Sequence, residues 1–422
     1  MVLYASQNVE WLGLLQRSMP ETPVLQTLLR NTASSPENPL SLGNGIASAL
    51  SAKAPVKFAV FAGGGSPKSN EIALEKNVRY FQRTLGAFGL SSTASSLFFA
   101  NGIDGRATVR YIDPKGKERF KKSDIPNLIG ASTPRNLRQW VMTASHKEDR
   151  RPVFFYFTGH GIFNKTNPDN NAMLMWGDSE VSVRGFTQLL DHFPQEVPIA
   201  LMMAQCYSGG FANVIYEQGN PANSVSKKSR CGFFATVKTR PSLGCTPEVD
   251  EADYQDYSSS FFAGLSGVDR LGQKVGSADY NKDSKVSYIE AHAFAKVDDA
   301  AADWPVSTSE EWLQRQISDR QRQEILNQPI QKILQQGRPE QQYVVQALAE
   351  KIQIDINQSA QQFEILTQIP TPEEFDVTQA YGMRLRMELL NIGAEARVRA
   401  SGNREAIAVL AQLLKCEFSA WI

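Results

Sequence analysis

Four runs of strand length, residues 56–62, 152–158, 197–204 and 231–237, are almost wholly apolar. A strand that is apolar on both faces hides both from water, which happens where helices cover a mostly parallel sheet on either side. The intervening sequence supplies such helices. Leu74, Val78, Phe81, Leu85 and Phe88 recur every three or four residues, and Phe186, Leu189, Leu190 and Phe193 repeat the pattern before the third run; each set is one face of a helix. Strand and helix in alternation predict an α/β layered domain around a mostly parallel central sheet flanked by helices. In such sheets, sites gather beyond the carboxyl ends of the strands.

The chain has 422 residues, and at roughly 150 residues per domain two or three units are expected. Residues 31–53 are rich in Ser, Pro, Asn and Gly and read as a linker, so residues 1–55 are an N-terminal extension and the main domain spans 56–305. From about Ser309 glycine is scarce and Gln, Glu, Arg and Leu dominate. Val344, Val345, Leu348 and Ile352 form one stripe, and Ile407, Leu410, Leu413 and Leu414 another, which predicts an α-helical C-terminal region over 306–422 with a turn at Pro370 and Pro372.

Lys plus Arg equals Asp plus Glu at 44 each, so no overall field draws the chain to nucleic acid. No apolar run reaches the roughly 18 residues a bilayer span needs. The four cysteines, Cys206, Cys231, Cys245 and Cys416, are irregularly spaced without CxxC pairs, which argues against a disulfide scaffold and a structural zinc site. Residues 1–19 lack a basic n-region. A cytoplasmic chain is expected as the sequence stands, or a periplasmic or secreted one if a leader has been removed.

Two runs end in reactive residues. The second leads into Thr158, Gly159, His160 and Gly161, and the third into Ala204, Gln205, Cys206, Tyr207, Ser208, Gly209 and Gly210. If those strands are parallel neighbours, His160 and Cys206 leave the same edge of the sheet. A thiol becomes a strong nucleophile once an imidazole stabilises its thiolate, and the pair suffices for acyl transfer. The flanking glycines let the backbone turn sharply and bring N–H groups to a substrate carbonyl as an oxyanion hole. His146, His192 and His292 have no comparable setting and read as structural.

A hydrophobic strand ending in His-Gly, followed 46 residues later (His160 to Cys206) by one ending in a Cys with small residues after it, close to the caspase spacing of about 50, resembles the caspase, metacaspase, legumain and gingipain superfamily over roughly residues 56–300. The resemblance implies a caspase-like cysteine endopeptidase acting on protein or peptide substrates, with no cofactor needed for the chemistry. It makes Cys206 the nucleophile, His160 its proton-transfer partner, and the backbone N–H groups of Gly161 and Cys206 the oxyanion hole. It also implies a specificity pocket lined by the loop over residues 63–70, ending in Asn70, by Gln205, and by residues 236–256, which carry Asp250 and Asp256. A carboxylate at the pocket floor would favour a basic P1 side chain; a solvated acidic loop is the other reading. The sequence departs from the caspase QACRG and QACQG patterns and lacks the acidic residue that legumains and metacaspases carry before the cysteine, so neither aspartate nor asparagine specificity is implied. Residues 219–230, with Lys227, Lys228 and Arg230, stand where caspases are cut between subunits, and are either an activation site or an ordinary surface loop. Two other functions remain open: a catalytically silent caspase-fold scaffold, and a legumain-like peptide ligase.

Residues 279–290 match a calcium-binding EF-hand loop. Asp279, Asn281, Asp283, Ser287 and Glu290 stand at positions 1, 3, 5, 9 and 12, and Lys285 offers its carbonyl at position 7. Ser284 replaces the usual glycine at position 6. Ser287 and Glu290 also form an S-x-x-E capping box for a helix over 288–297, and the two readings are compatible.

Overall fold

In a computed structural model describing residues 39–51, 54–371, 374 and 376–422, the four apolar runs become the middle of a seven-stranded sheet. Its strands are β1 (Lys57–Gly63), β2 (Ser95–Phe99), β3 (Leu128–Gly130), β4 (Val153–Gly159), β5 (Ile199–Ala204), β6 (Arg230–Phe234) and β7 (Val306–Ser307). Their order is β7-β6-β5-β4-β1-β2-β3, and every pairing is parallel except that of β7 with β6. The mostly parallel α/β architecture is therefore as expected.

Successive side chains of a strand point to opposite faces, and the aromatic residues sort accordingly. On one face Phe58 and Phe154 meet Trp421 at ring separations of 5.0 and 5.2 Å, with Phe81 and Phe262 completing the cluster. On the other, Phe61 stacks on Phe98 at 4.4 Å, and Phe155 meets Trp140 and Phe186. The first cluster takes its helical partners from α2 (Ile72–Ala87) and the later α5 (Tyr257–Ser266); the second takes them from α3 (Pro134–Ala144) and α4 (Val183–Leu190). Each buried aromatic contributes on the order of 2–3 kcal/mol of transfer free energy, so the double covering is what holds the sheet.

Residues 39–51 of the expected linker form a helix instead, α1 (Pro39–Ser51). Despite the Ser and Gly content, Leu42, Ile46 and Ala49 recur at helical spacing and are buried. Gly45 lies so close to Ile129 that a Cβ there would come within 2.9 Å of its side chain, and the Arg151 guanidinium donates to the carbonyls of Leu50 and Ala54 at the end of this segment. Tertiary packing overrides a weak local signal. Strands β2, β3 and β7 were not legible as apolar runs: β2 begins with two serines, and the other two are only three and two residues long.

The C-terminal region is helical as expected. It comprises α6 (Tyr288–Asp298) leading through β7 into α7 (Thr308–Arg315), then α8 (Pro339–Lys351), α9 (Val377–Ala400) and α10 (Arg404–Glu417), with shorter helices between. It is not a separate body, since the described residues from Pro39 to Ile422 belong to one compact unit. A buried network ties it in: Tyr257 Oη lies 2.7 Å from His292 Nδ1, His292 Nε2 lies 3.1 Å from Glu310 Oε2, and Lys296 bridges Glu310 to Glu388 of α9. Cys231 of β6 and Cys416 of α10 form a disulfide between residues 185 positions apart. This corrects the inference drawn from cysteine spacing: two sparse cysteines far apart in sequence are brought together by the fold. Closing so long a loop removes on the order of 5 kcal/mol of chain entropy from the unfolded state. No helix among the described residues is long and apolar enough to cross a membrane.

Candidate active site

Register decides what stands at the sheet edge. Thr158 of β4 is paired with Ala62 of β1 on one side and with Ala204 of β5 on the other, so His160 and Cys206 leave neighbouring strands at the same level. Gly161 is pressed against the Cys206 backbone, where a Cβ would come within 1.8 Å of the Cys206 carbonyl oxygen; glycine alone permits that approach. Tyr207 adopts a left-handed conformation, φ 59°, and its N–H donates to the Arg240 carbonyl at 2.9 Å. A tyrosine in this region stores on the order of 1 kcal/mol of strain, which turns the chain abruptly after Cys206.

Nε2 of His160 lies 3.0 Å from Glu71 Oε2 and 2.9 Å from the Ser69 carbonyl oxygen, so it donates to both. The other Glu71 oxygen accepts from Arg110 at 2.7 Å. Burial by itself would raise the Glu71 carboxyl, but His160 and Arg110 overcome it and hold the group at about 2. Burial likewise opposes charge on His160, yet Cys245 and Glu71 outweigh it and keep the ring well above its ordinary value. With Nε2 committed to Glu71, Nδ1 is the nitrogen left for sulfur.

Two thiols surround that ring. Cys245 interacts electrostatically with His160, and its Sγ lies 3.7 Å from the Gly159 carbonyl oxygen. Sγ of Cys206 accepts from the Ser242 N–H at 3.3 Å and lies 3.5 Å from the Ser242 carbonyl oxygen. Burial pushes the Cys206 thiol up to about 11, with Cys245 adding to the rise, while the Ser242 N–H and His160 partly offset it. His160 and Cys206 are thus electrostatically coupled, with the imidazole charged and Cys206 held as a thiol. Sequence reasoning missed Glu71, Cys245 and Ser242. Glu71 follows the first-strand loop directly, and the other two lie inside the stretch 236–256 already singled out, but no spacing rule connects them to His160.

The four residues expected to bind substrate have different fates. Asn70 is fully buried and its amide serves the fold, accepting from Gly64 N–H at 3.2 Å and donating to Thr108. Gln205 is buried and both atoms of its amide lack a hydrogen-bond partner. Asp250 caps a single turn, Glu251–Asp253, by accepting from Ala252 N–H. Asp256 caps α5, accepting from Ser258 and Ser259, and pairs with Arg270 at 3.2 Å. Asp256 does line a cavity beneath the site, with Asn77, Thr158, Leu243, Gly244, Cys245 and Tyr257, but that cavity is only ≈ 10 Å³, the room of about one water. The expectation of an unpaired carboxylate awaiting a basic side chain is therefore corrected at Asp256: Arg270 already satisfies it. An unpaired oxygen is found on Asp303, whose Oδ1 accepts from Leu243 N–H at 3.0 Å while Oδ2 is buried without a partner.

Residues 226–230 are not the exposed loop expected of an activation site. Lys228 Nζ donates to the carbonyls of Asp191 and Phe193, and Arg230 is buried within β6 against Asp191. In the EF-hand-like stretch, Asp279, Asn281 and Asp283 accept from backbone N–H groups of the loop itself. Glu290 accepts from Tyr280, Asn281 and Ser287 N–H and from Ser287 Oγ. The Ser287 and Glu290 capping box is formed. Lys285 carries its carbonyl in the same turn, yet among the described residues no group of three or more His, Cys, Asp or Glu is arranged to hold a metal ion.

No family model matches the sequence, and no curated protein matches it. Among solved structures, the crystal structure of protein GSU0716 from Geobacter sulfurreducens is similar at 13% identity over 57% of this chain and 88% of that chain. Its TM-score of 0.34 is too low to carry an argument about fold or activity.

Proposed function

We propose that this chain is a cysteine endopeptidase of the caspase and legumain superfamily, acting on protein or peptide substrates. The observation that carries the reading is the issue of His160 and Cys206 from the aligned ends of β4 and β5, with the ring clamped by Glu71 at 3.0 Å. The Cys206 thiolate attacks the scissile carbonyl carbon, forming a C–S bond. The N–H groups of Gly161 and Cys206 receive the oxyanion, and collapse breaks the C–N bond as His160 delivers a proton to the departing amine. Water, deprotonated by the now neutral ring, then cleaves the thioester. Glu71 is a positioning residue: it fixes the ring's orientation and favours its charged form, as a carboxylate does behind a catalytic imidazole.

The nucleophile must ionise, and the burial of Cys206, with Cys245 adding to it, opposes this as the site lies, while the Ser242 N–H and His160 favour it. During attack the Ser242 N–H and the charged His160 would together stabilise the thiolate against that burial. The same restraint is what a catalytically silent scaffold would show, and an amine in place of water would make the enzyme a ligase. The Cys231–Cys416 bridge supports an oxidising compartment, periplasmic or extracellular, over the cytoplasmic expectation, because such bridges are kept reduced in most cytosols.

A peptidyl electrophile with a mixed P1 library separates these readings. Labelling at Cys206, and cleavage of the matching peptides that Cys206→Ala abolishes, are the expected results. Intact folded chain that neither labels nor cleaves any member of the library overturns the peptidase reading in favour of the scaffold.

A further inference from the structure

The site holds one more sulfur than acyl transfer needs. We propose that Cys206 and Cys245 are a redox-active pair, a modification site at which peroxide or a small-molecule disulfide forms a reversible intramolecular disulfide. Both cysteines lie against residues flanking the same histidine: Cys245 Sγ rests 3.7 Å from the Gly159 carbonyl, while Gly161 is pressed on the Cys206 backbone carbonyl. Ser242, whose N–H touches the Cys206 sulfur at 3.3 Å, is separated from Cys245 by only Leu243 and Gly244. Gly244 sits at φ +122°, a conformation that turns the segment back on itself. A disulfide needs Cα atoms about 4.4–6.8 Å apart, and a short turn hinged at a glycine, running from the residue that touches the Cys206 sulfur to Cys245 itself, has the reach to meet it.

Both thiols are free and partly accessible, so a small oxidant reaches them, whereas Cys231 and Cys416 are buried and joined to each other. The His160 ring interacts with both free sulfurs and favours whichever is ionised. With peroxide, one thiolate attacks an oxygen, an S–O bond forms, the O–O bond breaks, and hydroxide leaves and is protonated to water. The second thiolate attacks the resulting sulfenic sulfur, the S–S bond forms and the S–O bond breaks, releasing a second water. Two thiols and one peroxide give one disulfide and two waters, with two electrons passing from sulfur to oxygen. The product has no nucleophile, and a thiol reductant regenerates it. The resolving thiol would keep Cys206 from the irreversible sulfinic and sulfonic stages.

The test uses the full chain and hydrogen peroxide, read by intact mass and peptide mapping, so its outcome is independent of peptidase turnover. Expected is a loss of two hydrogens, a cross-linked peptide joining Cys206 to Cys245, blocked alkylation of both, and restoration by a thiol reductant with Cys231–Cys416 left intact. In Cys245→Ser, Cys206 should instead gain two oxygens. Wild-type protein in which Cys206 is oxidised to sulfinic acid while Cys245 still alkylates overturns the proposal, whatever the fate of the variant.

Discussion

Replacing Glu71 with Gln probes the clamp on His160 most directly. In an unfolded chain the carboxyl titrates near 4.5, and here it is held at about 2. At 1.36 kcal/mol per tenfold change in proton affinity, the fold favours ionised Glu71 by about 3 kcal/mol. The side chain is only 5% exposed, so little of this is lost to solvent screening. Because the folded value lies below the unfolded one, this stability is fully present above about pH 4.5 and is lost as the pH falls through about 2. His160 works in the opposite sense: its value is raised, so its contribution is complete below about pH 6.5 and is lost as the pH climbs through the folded value. Urea denaturation of wild type and Glu71→Gln at about pH 5.5 and about pH 2.5 should show wild type losing about 2.5 kcal/mol more than the variant, most of the full effect. The His160 resonance, one of only four histidines, should titrate lower in the variant. kcat should fall at least ~10-fold, but less than the roughly 10⁴-fold known for a buried triad aspartate, since the Ser69 carbonyl still accepts from Nε2. Parallel pH dependence of stability in the two proteins, together with an unmoved His160 titration, would refute the reasoning.

Reducing the Cys231–Cys416 bridge, or replacing both residues by Ser, should lower stability by about 3–5 kcal/mol; an unchanged denaturation midpoint would show that the bridge does not form. Glu417, buried and accepting from Thr308 and Ser309, is raised to about 7 by burial. Its contribution is complete below about pH 4.5 and is lost as the pH rises through 7, so Glu417→Gln should flatten the fall in melting temperature between about pH 5 and pH 8; a variant with the full wild-type slope argues against it. Trypsin should leave the native chain uncut after Lys228 and Arg230, because both are tied to Asp191. Early fragments from cleavage at those residues would restore the activation-loop reading.

Much of this was written locally in the chain. An apolar run such as residues 152–158 dictates a strand buried on both faces, because any other placement exposes it to water. A glycine on either side of His160 announces a turn at the strand end. The helical C-terminal region followed from the periodicity of Val344, Val345 and Leu348, which repeats within one turn and needs no distant partner. What local pattern does not carry is which distant side chains meet. Glu71 comes to His160 across 89 positions and Cys416 to Cys231 across 185, encounters set by how helices pack on the sheet. The same holds for Asp256, whose charge suggested an open pocket until Arg270 was seen to neutralise it, and for Cys245, which sequence could only count. Local free energies choose strands and helices residue by residue, but the partners of a buried charge or thiol are chosen by the whole core at once, because desolvation makes each such group depend on neighbours that chain order does not name.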